Sequence, residues 1–470
     1  MTTTSIRPEN GDSAADTKAP RSSRLALVVA SGGTFLAVLD TTVVNVAFPS
    51  LRSDFSSEPL AHLTWVITSY TVVFAALLAV AGRVADILGR RKLFVISTGL
   101  FTCASLLSGI APNLPLLVAA RTLQGIGAAG MIPASLGLVL AHTAPARRAA
   151  AIGVWGAVGS MAAAVGPSLG GLLVNVWGWR AVFLINLPLG VLFVLIAVRG
   201  VGADPASGRR MPDPIGVVSL ALGMSGLVFG VTQGSAWGWG NAKVIGLLVG
   251  GAVLTAVALL LSRRHESPAI ELDLWRNRSF AGTNTTALLF GAAMYAYLLS
   301  TLLFLNAVWG YSELKAGLAV TPGAFSAAAG AMVVGRRIGP AKQWLAVLTG
   351  SVLFAAADVA MYFVLGSHRH YLELWLPIGV VAGIGIGAAL TGLSTAAARS
   401  LPPERFASGT GLLMTARQAG GALGIAGLAA ILQHSGVIGP HGYLQAFLAS
   451  GVCSAVAAVA AVTIRHRASD

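Results

Sequence analysis

The sequence predicts an all-α polytopic membrane protein, and three observations predict it. Of 470 residues, 55% are hydrophobic and only 10% are charged, too few charges to cover a water-soluble chain of this length. Fourteen apolar runs follow one another, at residues 25–50, 62–82, 92–110, 114–141, 149–174, 181–198, 215–233, 243–262, 280–304, 314–335, 343–366, 373–396, 407–432 and 443–464. A bilayer-spanning helix needs about 20 such residues. The third observation is the sorting of positive charge. Of the 31 Lys and Arg, 24 fall in loops on the side of the N-terminus. Five (Arg52, Arg180, Lys243, Lys315 and Arg369) fall on the other side, and Arg121 and Arg417 lie inside runs. An even number of spans with both termini cytoplasmic satisfies the positive-inside rule in every loop. The net charge of +14 is therefore an orientation signal and a contact for anionic lipid, not a nucleic-acid footprint.

The flanking features fit this frame. Residues 1–24 are polar without an apolar core, which predicts a disordered cytoplasmic tail and not a cleaved signal. Cys103 and Cys453 both fall in apolar runs, so neither a structural disulfide nor a metal site is expected. Trp177, Trp179, Trp237, Trp239, Trp309 and Trp375 fall near the outer ends of spans, where an aromatic belt is expected.

The first span holds the residue around which the rest is organised. In LDTTVVNVAFP, Leu39 to Pro49, Asp40 is the one charged side chain between Leu25 and Ser50. It sits roughly 22 Å from the start of the run at about 1.5 Å per residue. An ionised group at such depth costs about 2.5 kcal/mol or more. It needs a partner, a wet cavity or a proton, so Asp40 is a candidate proton or cation site.

The second span ends in GRVADILGRRK, Gly82 to Lys92. Gly82 and Gly89 suit a tight turn, Asp86 can meet a helix N-terminus, and Arg90 and Arg91 can pair with it or with lipid phosphate. The fourth span carries RTLQGIGAAG, Arg121 to Gly130, in which Gly125, Gly127 and Gly130 spell GxGxxG. A dinucleotide site would need a preceding strand and a soluble βαβ unit, so small residues for close helix packing are the better account. Arg121 lies roughly 10 Å below the outer surface, a depth comparable to that of Asp40 in a helix running the other way. An Asp40–Arg121 interaction, direct or through Gln124 or water, is expected; a fixed ion pair for packing alone is the alternative.

The fifth span has a side-chain-free face of Gly156, Gly159, Gly166, Gly170 and Gly171, and Pro167 removes a backbone hydrogen bond. Spans seven and eight carry no charge in their interiors. An echo of the span-two loop, VVGRRIGP from Val333 to Pro340, has Gly335 and Arg337 but no acid, so a second inner gate should be weaker or paired differently. Arg417, in TARQAGGALG, lies roughly 15 Å from the cytoplasmic end and can face a cavity. Asp358 is the only other acid deep in a span, open either to a second proton site or to snorkelling and helix packing.

Several of these stretches carry a resemblance. The Gly82–Lys92 loop resembles the loop signature of the major facilitator superfamily. The GPSLGG core around Gly166, Pro167, Gly170 and Gly171 resembles the antiporter signature of its exporters. LDTTVVNVAFP and WGWRAVFLINLPLG (Trp177 to Gly190) resemble signatures of its fourteen-span drug:proton antiporter branch. The resemblance implies two six-helix bundles around a central cavity, related by a pseudo-two-fold along the membrane normal. Residues 25–200 and 279–464 would be the bundles, 201–278 a linker with two extra helices, and 465–470 a cytoplasmic tail.

It further implies a proton-coupled exporter in the plasma (inner) membrane, with Asp40 and Arg121 in proton coupling. The cavity would be mostly apolar with a few polar anchors (Asn45, Gln124, Asn306, Arg417 and Gln418), suited to amphipathic organic molecules. The expected partners are small molecules, protons and lipid, with the proton gradient in place of any cofactor. No P-loop, HExxH or Cys/His ligand cluster is present, which disfavours ATP-driven pumping and membrane-bound hydrolysis. Two rivals stay open: export of one endogenous metabolite or antibiotic on the same fold, and a non-transporting membrane sensor or assembly protein.

Overall fold

Five helix starts are written in capping residues. The computed structural model describes residues 21–202, 211–434 and 440–464; the expected tails at residues 1–20 and 465–470 lie outside these. Fourteen long helices run through the described residues: α1 (Arg21–Asp54), α2 (Trp65–Leu88), α3 (Arg90–Gly109), α4 (Leu114–His142), α5 (Arg148–Trp177), α6 (Asn186–Gly200), α7 (Pro214–Trp237), α8 (Ala242–Arg264), α9 (Arg278–Ala307), α10 (Glu313–Arg337), α11 (Gln343–Val364), α12 (Leu376–Arg399), α13 (Phe406–His434) and α14 (His441–Ala460). Asn113, Asp213, Asn241, Asn277 and Ser312 precede five of them, and each side chain accepts a hydrogen bond from a first-turn N–H. Pro115 and Pro214 occupy first-turn positions where no N–H is missed.

Thirteen of these helices are long and apolar enough to cross a membrane. The remaining one, α13, has 29 residues, and Arg417, Gln418 and its many glycines dilute its hydropathy. Several ends differ from the sequence reading. Helix α1 begins at Arg21, so residues 21–24 are helical and not tail. Helix α2 continues to Leu88, so Gly82 lies inside it and not in a turn. The turn is made by Gly89, whose φ of +93° a side chain would disfavour. The sixth span is broken into a short turn, Ala181–Leu184, and α6.

Helices α1–α6 pack chiefly on one another, as do α9–α14. The two sets meet along α5 with α10 and α2 with α13, with lesser contacts of α4 with α13 and α5 with α12. Helices α7 and α8 form a hairpin that leans on α2 and α13, beside the second of these seams. Val72 and Ala75 of α2 form a small apolar cluster with Val228 of α7, and the Trp65 and Phe229 rings lie 4.8 Å apart.

Both seams are nearly free of side chains. Along α5 and α10, a Cβ on Gly153 would lie 2.6 Å from the Ala331 carbonyl oxygen, and one on Gly335 as close to that of Ala149. Further along, the Thr321 hydroxyl lies 3.4 Å from the Ala164 carbonyl oxygen, and Gly317 meets Pro167. Along α2 and α13, Gly82 meets the Ala407 carbonyl and Gly411 that of Leu78. Within the first half, Gly125 approaches the backbone of Tyr70, Gly166 faces Thr42, and Gly170 faces Val43. Gly171 has more room: a methyl group added there would find Leu314 Cδ1 as its nearest neighbour, 3.8 Å away. Small residues here set the interhelical distance.

The tryptophans divide. Trp177, Trp237 and Trp239 are exposed, as an interfacial belt requires, but Trp179, Trp309 and Trp375 are buried. Trp309 donates to the Gly366 carbonyl, Trp375 stacks on Phe304, and Trp179 donates to Asp54. Their indoles are structural, because each N–H or ring face is taken by protein.

Gly153→Ala should destabilise the protein by about 1–3 kcal/mol through overpacking of the α5–α10 seam. Gly99→Ala, with nothing within 4 Å of its added methyl, should be neutral or stabilising by about 0.5–1 kcal/mol. Thermal unfolding of the two variants in detergent checks the contrast, and equal shifts would contradict it.

Candidate functional site

Five helices deliver polar groups to one point inside the first half. Asp40 of α1 is fully buried, and Arg121 of α4 is 1% exposed. Arg121 Nη1 donates to Asp40 Oδ2 at 2.6 Å and to Gln124 Oε1 at 3.0 Å, while its Nε donates to the Val66 carbonyl of α2 at 3.0 Å. Gln124 Nε2 donates to Asp40 Oδ1 at 3.2 Å and to Ser105 Oγ of α3 at 2.6 Å. Asn186 Nδ2, at the start of α6, donates to Asp40 Oδ1 at 3.0 Å. The Tyr70 ring covers the guanidinium, 4.3 Å from Arg121 Cζ. Every charge in the cage has an opposite charge, a hydrogen bond or an aromatic face, which is what lets two ions sit so deep.

The sequence brought Asp40, Arg121 and Gln124 to notice, and the structure places the three in contact. Gln124 is fully buried in the cage, so it is not a cavity-lining anchor. Asn186 and Tyr70 were not singled out. The available signal for Asn186 was an amide in the otherwise apolar FLINLPLG stretch; for Tyr70 there was none beyond a tyrosine in a span.

The remaining expected anchors separate. Asn45 is exposed on α1, five residues beyond Asp40. Asn306 is a correction: its Nδ2 donates to the Tyr311 carbonyl at 2.7 Å, tying the end of α9 to the next loop. Gln418 Oε1 accepts a hydrogen bond from the Tyr295 hydroxyl of α9. Arg417 lies beside Gln418, half-buried on α13. Asp358 of α11 is fully buried with Oδ2 2.5 Å from Ser450 Oγ of α14, so it does not snorkel.

A second cluster closes the face that carries the basic loops. Asp86, near the end of α2, accepts hydrogen bonds from the N–H groups of Ala407 (3.2 Å) and Ser408 (2.6 Å) at the start of α13. A carboxylate at a helix N-terminus is favoured by its unpaired N–H groups and dipole. Arg90 donates to Asp86 at 3.0 Å and to the Pro403 carbonyl, and lies over the Phe406 ring. Arg91 instead donates to the Ala197 and Val198 carbonyls near the end of α6. The echo loop works otherwise: Gly335 closes on α5 by backbone contact, and Arg336 and Arg337 are exposed.

The linker after α8 joins this closure. Glu271, 7% exposed, pairs with Arg83 of α2 and with Arg405 Nε, at 3.3 Å, in the turn before α13. One acid from the connecting segment thus holds a cation from each half. It lines a cavity of about 970 Å³ on the basic face, with Arg263, His265, Asp273 and Arg276. Glu271 was not singled out in the sequence, where it reads as an ordinary loop acid.

A helical membrane protein whose two halves meet along glycine-lined seams, with a buried ion cage inside the first half, has the architecture of a solute transporter. The comparisons give the family. The Major Facilitator Superfamily model matches residues 30–425, and the chain belongs to that family. It is 33% identical to the Multidrug resistance protein Stp of Mycobacterium tuberculosis (strain CDC 1551 / Oshkosh), across 90% of this chain and 78% of that protein. It is 34% identical to the probable actinorhodin transporter of Streptomyces coelicolor, across 85% of this chain and 71% of that protein. The fold is similar to that of the human organic anion transporter MFSD10 (TETRAN), with a TM-score of 0.67 at 16% identity, covering 93% of this chain and 99% of that one. The protein is a transporter, not an enzyme.

Glu271→Gln should loosen the basic face. In a chain with Cys103 and Cys453 replaced by serine, a Thr410→Cys probe, at a site 4% exposed, should react faster with a membrane-impermeant maleimide when Glu271 is neutral. An unchanged alkylation rate would show that Asp86 and the glycine seams hold the face closed alone.

Proposed function

We propose that the protein is a proton-coupled exporter of amphipathic organic compounds that works by alternating access. The observation that carries this reading is the Asp40 cage, a carboxylate inside the bilayer whose charge is balanced by Arg121 and which accepts hydrogen bonds from Gln124 and Asn186. Coupling needs an acid that takes a proton from one side and releases it to the other. Asp40 is suited to this because protonation removes one member of its ion pair and leaves Arg121 short of a counter-charge. The freed guanidinium, under Tyr70, then favours a rearrangement of the helices that hold the cage. The closed basic face fits the state in which the site opens away from the cytoplasm, with both termini cytoplasmic and the protein in the plasma membrane. The driving force is the proton gradient, and no cofactor is required.

The substrate class rests on the relatives' names and on the apolar character of the helices. Stp is named for multidrug resistance, which favours broad specificity. The actinorhodin transporter favours the second reading, export of one endogenous antibiotic. The cavity anchors in either case are Asn45, Arg417 and Gln418.

Inverted vesicles with an imposed proton gradient, supplied with a panel of dyes and antibiotics, test the reading. Wild type should accumulate substrate only while the gradient stands, and Asp40→Asn should abolish that accumulation. Gradient-driven uptake that survives in Asp40→Asn would remove Asp40 from coupling and turn attention to Asp358.

A further inference from the structure

We propose that Arg417 is the anion-binding anchor of the substrate cavity and that the compounds exported carry a carboxylate or a similar planar oxyanion. This rests on the exporter reading above and names its substrate class. Two arginines lie inside spans, and the structure treats them differently. Arg121 has Asp40, Gln124, the Val66 carbonyl and the Tyr70 ring. Arg417 has no ion pair, hydrogen bond or ring contact among the described residues, and its Nε is buried without a partner. Asp358, the acid deep in a span of the second half, is engaged with Ser450.

The side chain points into the protein. Gly420 and Gly424 of α13 press on the Leu288 and Ala292 carbonyls of α9, and Gly421 on the Tyr295 ring. Arg417 lies three and four residues before Gly420 and Gly421, on the same helix face. Leu423, 53% exposed, lies about 120° around the helix. Arg417 therefore leaves α13 toward α9 and Tyr295, roughly 16 Å in from the start of the helix.

The surrounding chemistry is rich in donors and poor in acceptors. Tyr295 gives its hydroxyl hydrogen to Gln418 Oε1, which leaves the Gln418 amide hydrogens free to donate. A permanent cation within a span is costly, and no acid among the described residues pairs with Arg417. A guanidinium fork matches a carboxylate with two parallel hydrogen bonds, a geometry that lysine cannot supply. The substrate is then the missing counter-charge, and amphipathic acids fit where neutral analogues do not.

Equilibrium binding of 2-naphthoate and its neutral isostere 2-naphthamide to the full-length protein in detergent tests this. It needs no gradient, so its result is independent of the Asp40 uptake experiment. Wild type should bind 2-naphthoate about tenfold or more tightly than 2-naphthamide, the increment of a charge-assisted pair. Arg417→Gln should erase that preference, and Arg417→Lys should recover only part of it. The proposal is overturned if wild type does not prefer the acid, or if the preference persists in Arg417→Gln. The wild-type comparison alone decides the matter should the variant not fold.

Discussion

The ion pair of Asp40 and Arg121 is the constraint on which the first half depends. Two opposite charges in a bilayer are tolerable only together, and removing one partner from a buried pair costs about 3–5 kcal/mol. Each further group in the cage is fixed by its own helix: Gln124 by α4, Asn186 by α6, Ser105 by α3, and the Val66 carbonyl and Tyr70 ring by α2. Holding the charges thus fixes five helices relative to one another. The same fact makes the cage responsive, since anything that changes the charge of Asp40 is felt in all five.

The two halves are held together by other means. Glycine-lined seams let backbones touch, and buried polar latches sit at the basic face. Asp86 grips the N-terminus of α13, and Glu271 grips Arg83 and Arg405. Each latch is a buried pair, so removing one partner leaves the other uncompensated. The cage ties the helices of the first half together, while the latches tie the two halves to each other.

How much of this was legible in the sequence follows from energetic cost. Span number and helix type were legible because apolar length and loop charge leave few alternatives. Asp40 and Arg121 stood out because a charge in an apolar run is unfavourable enough to require a reason. Asn186 and Tyr70 escaped because an amide or a phenol in a span is readily tolerated and its direction is not encoded locally. Gly82 and Gly89 show the same limit: the residue type is shared, but one is a contact surface inside α2 and the other a turn, and only the extent of α2 decides which. Asn306 was misplaced because a polar side chain near a span end serves a helix terminus as readily as a cavity. Glu271 makes its contacts across long sequence separations, so nothing in its own neighbourhood marks it.

The glycine contacts between α5 and α10 bear on how this protein can change over generations. At Gly153 and Gly335 even a methyl group would stand 2.6 Å from a facing carbonyl oxygen, so drift there is closed. At Gly156 and Gly171, on the same helix as Gly153, the nearest atoms to an added methyl are 3.8 Å away. Those two positions admit small side chains without moving a backbone. A change of shape between the halves meets least resistance there, and most at Gly153 and Gly335.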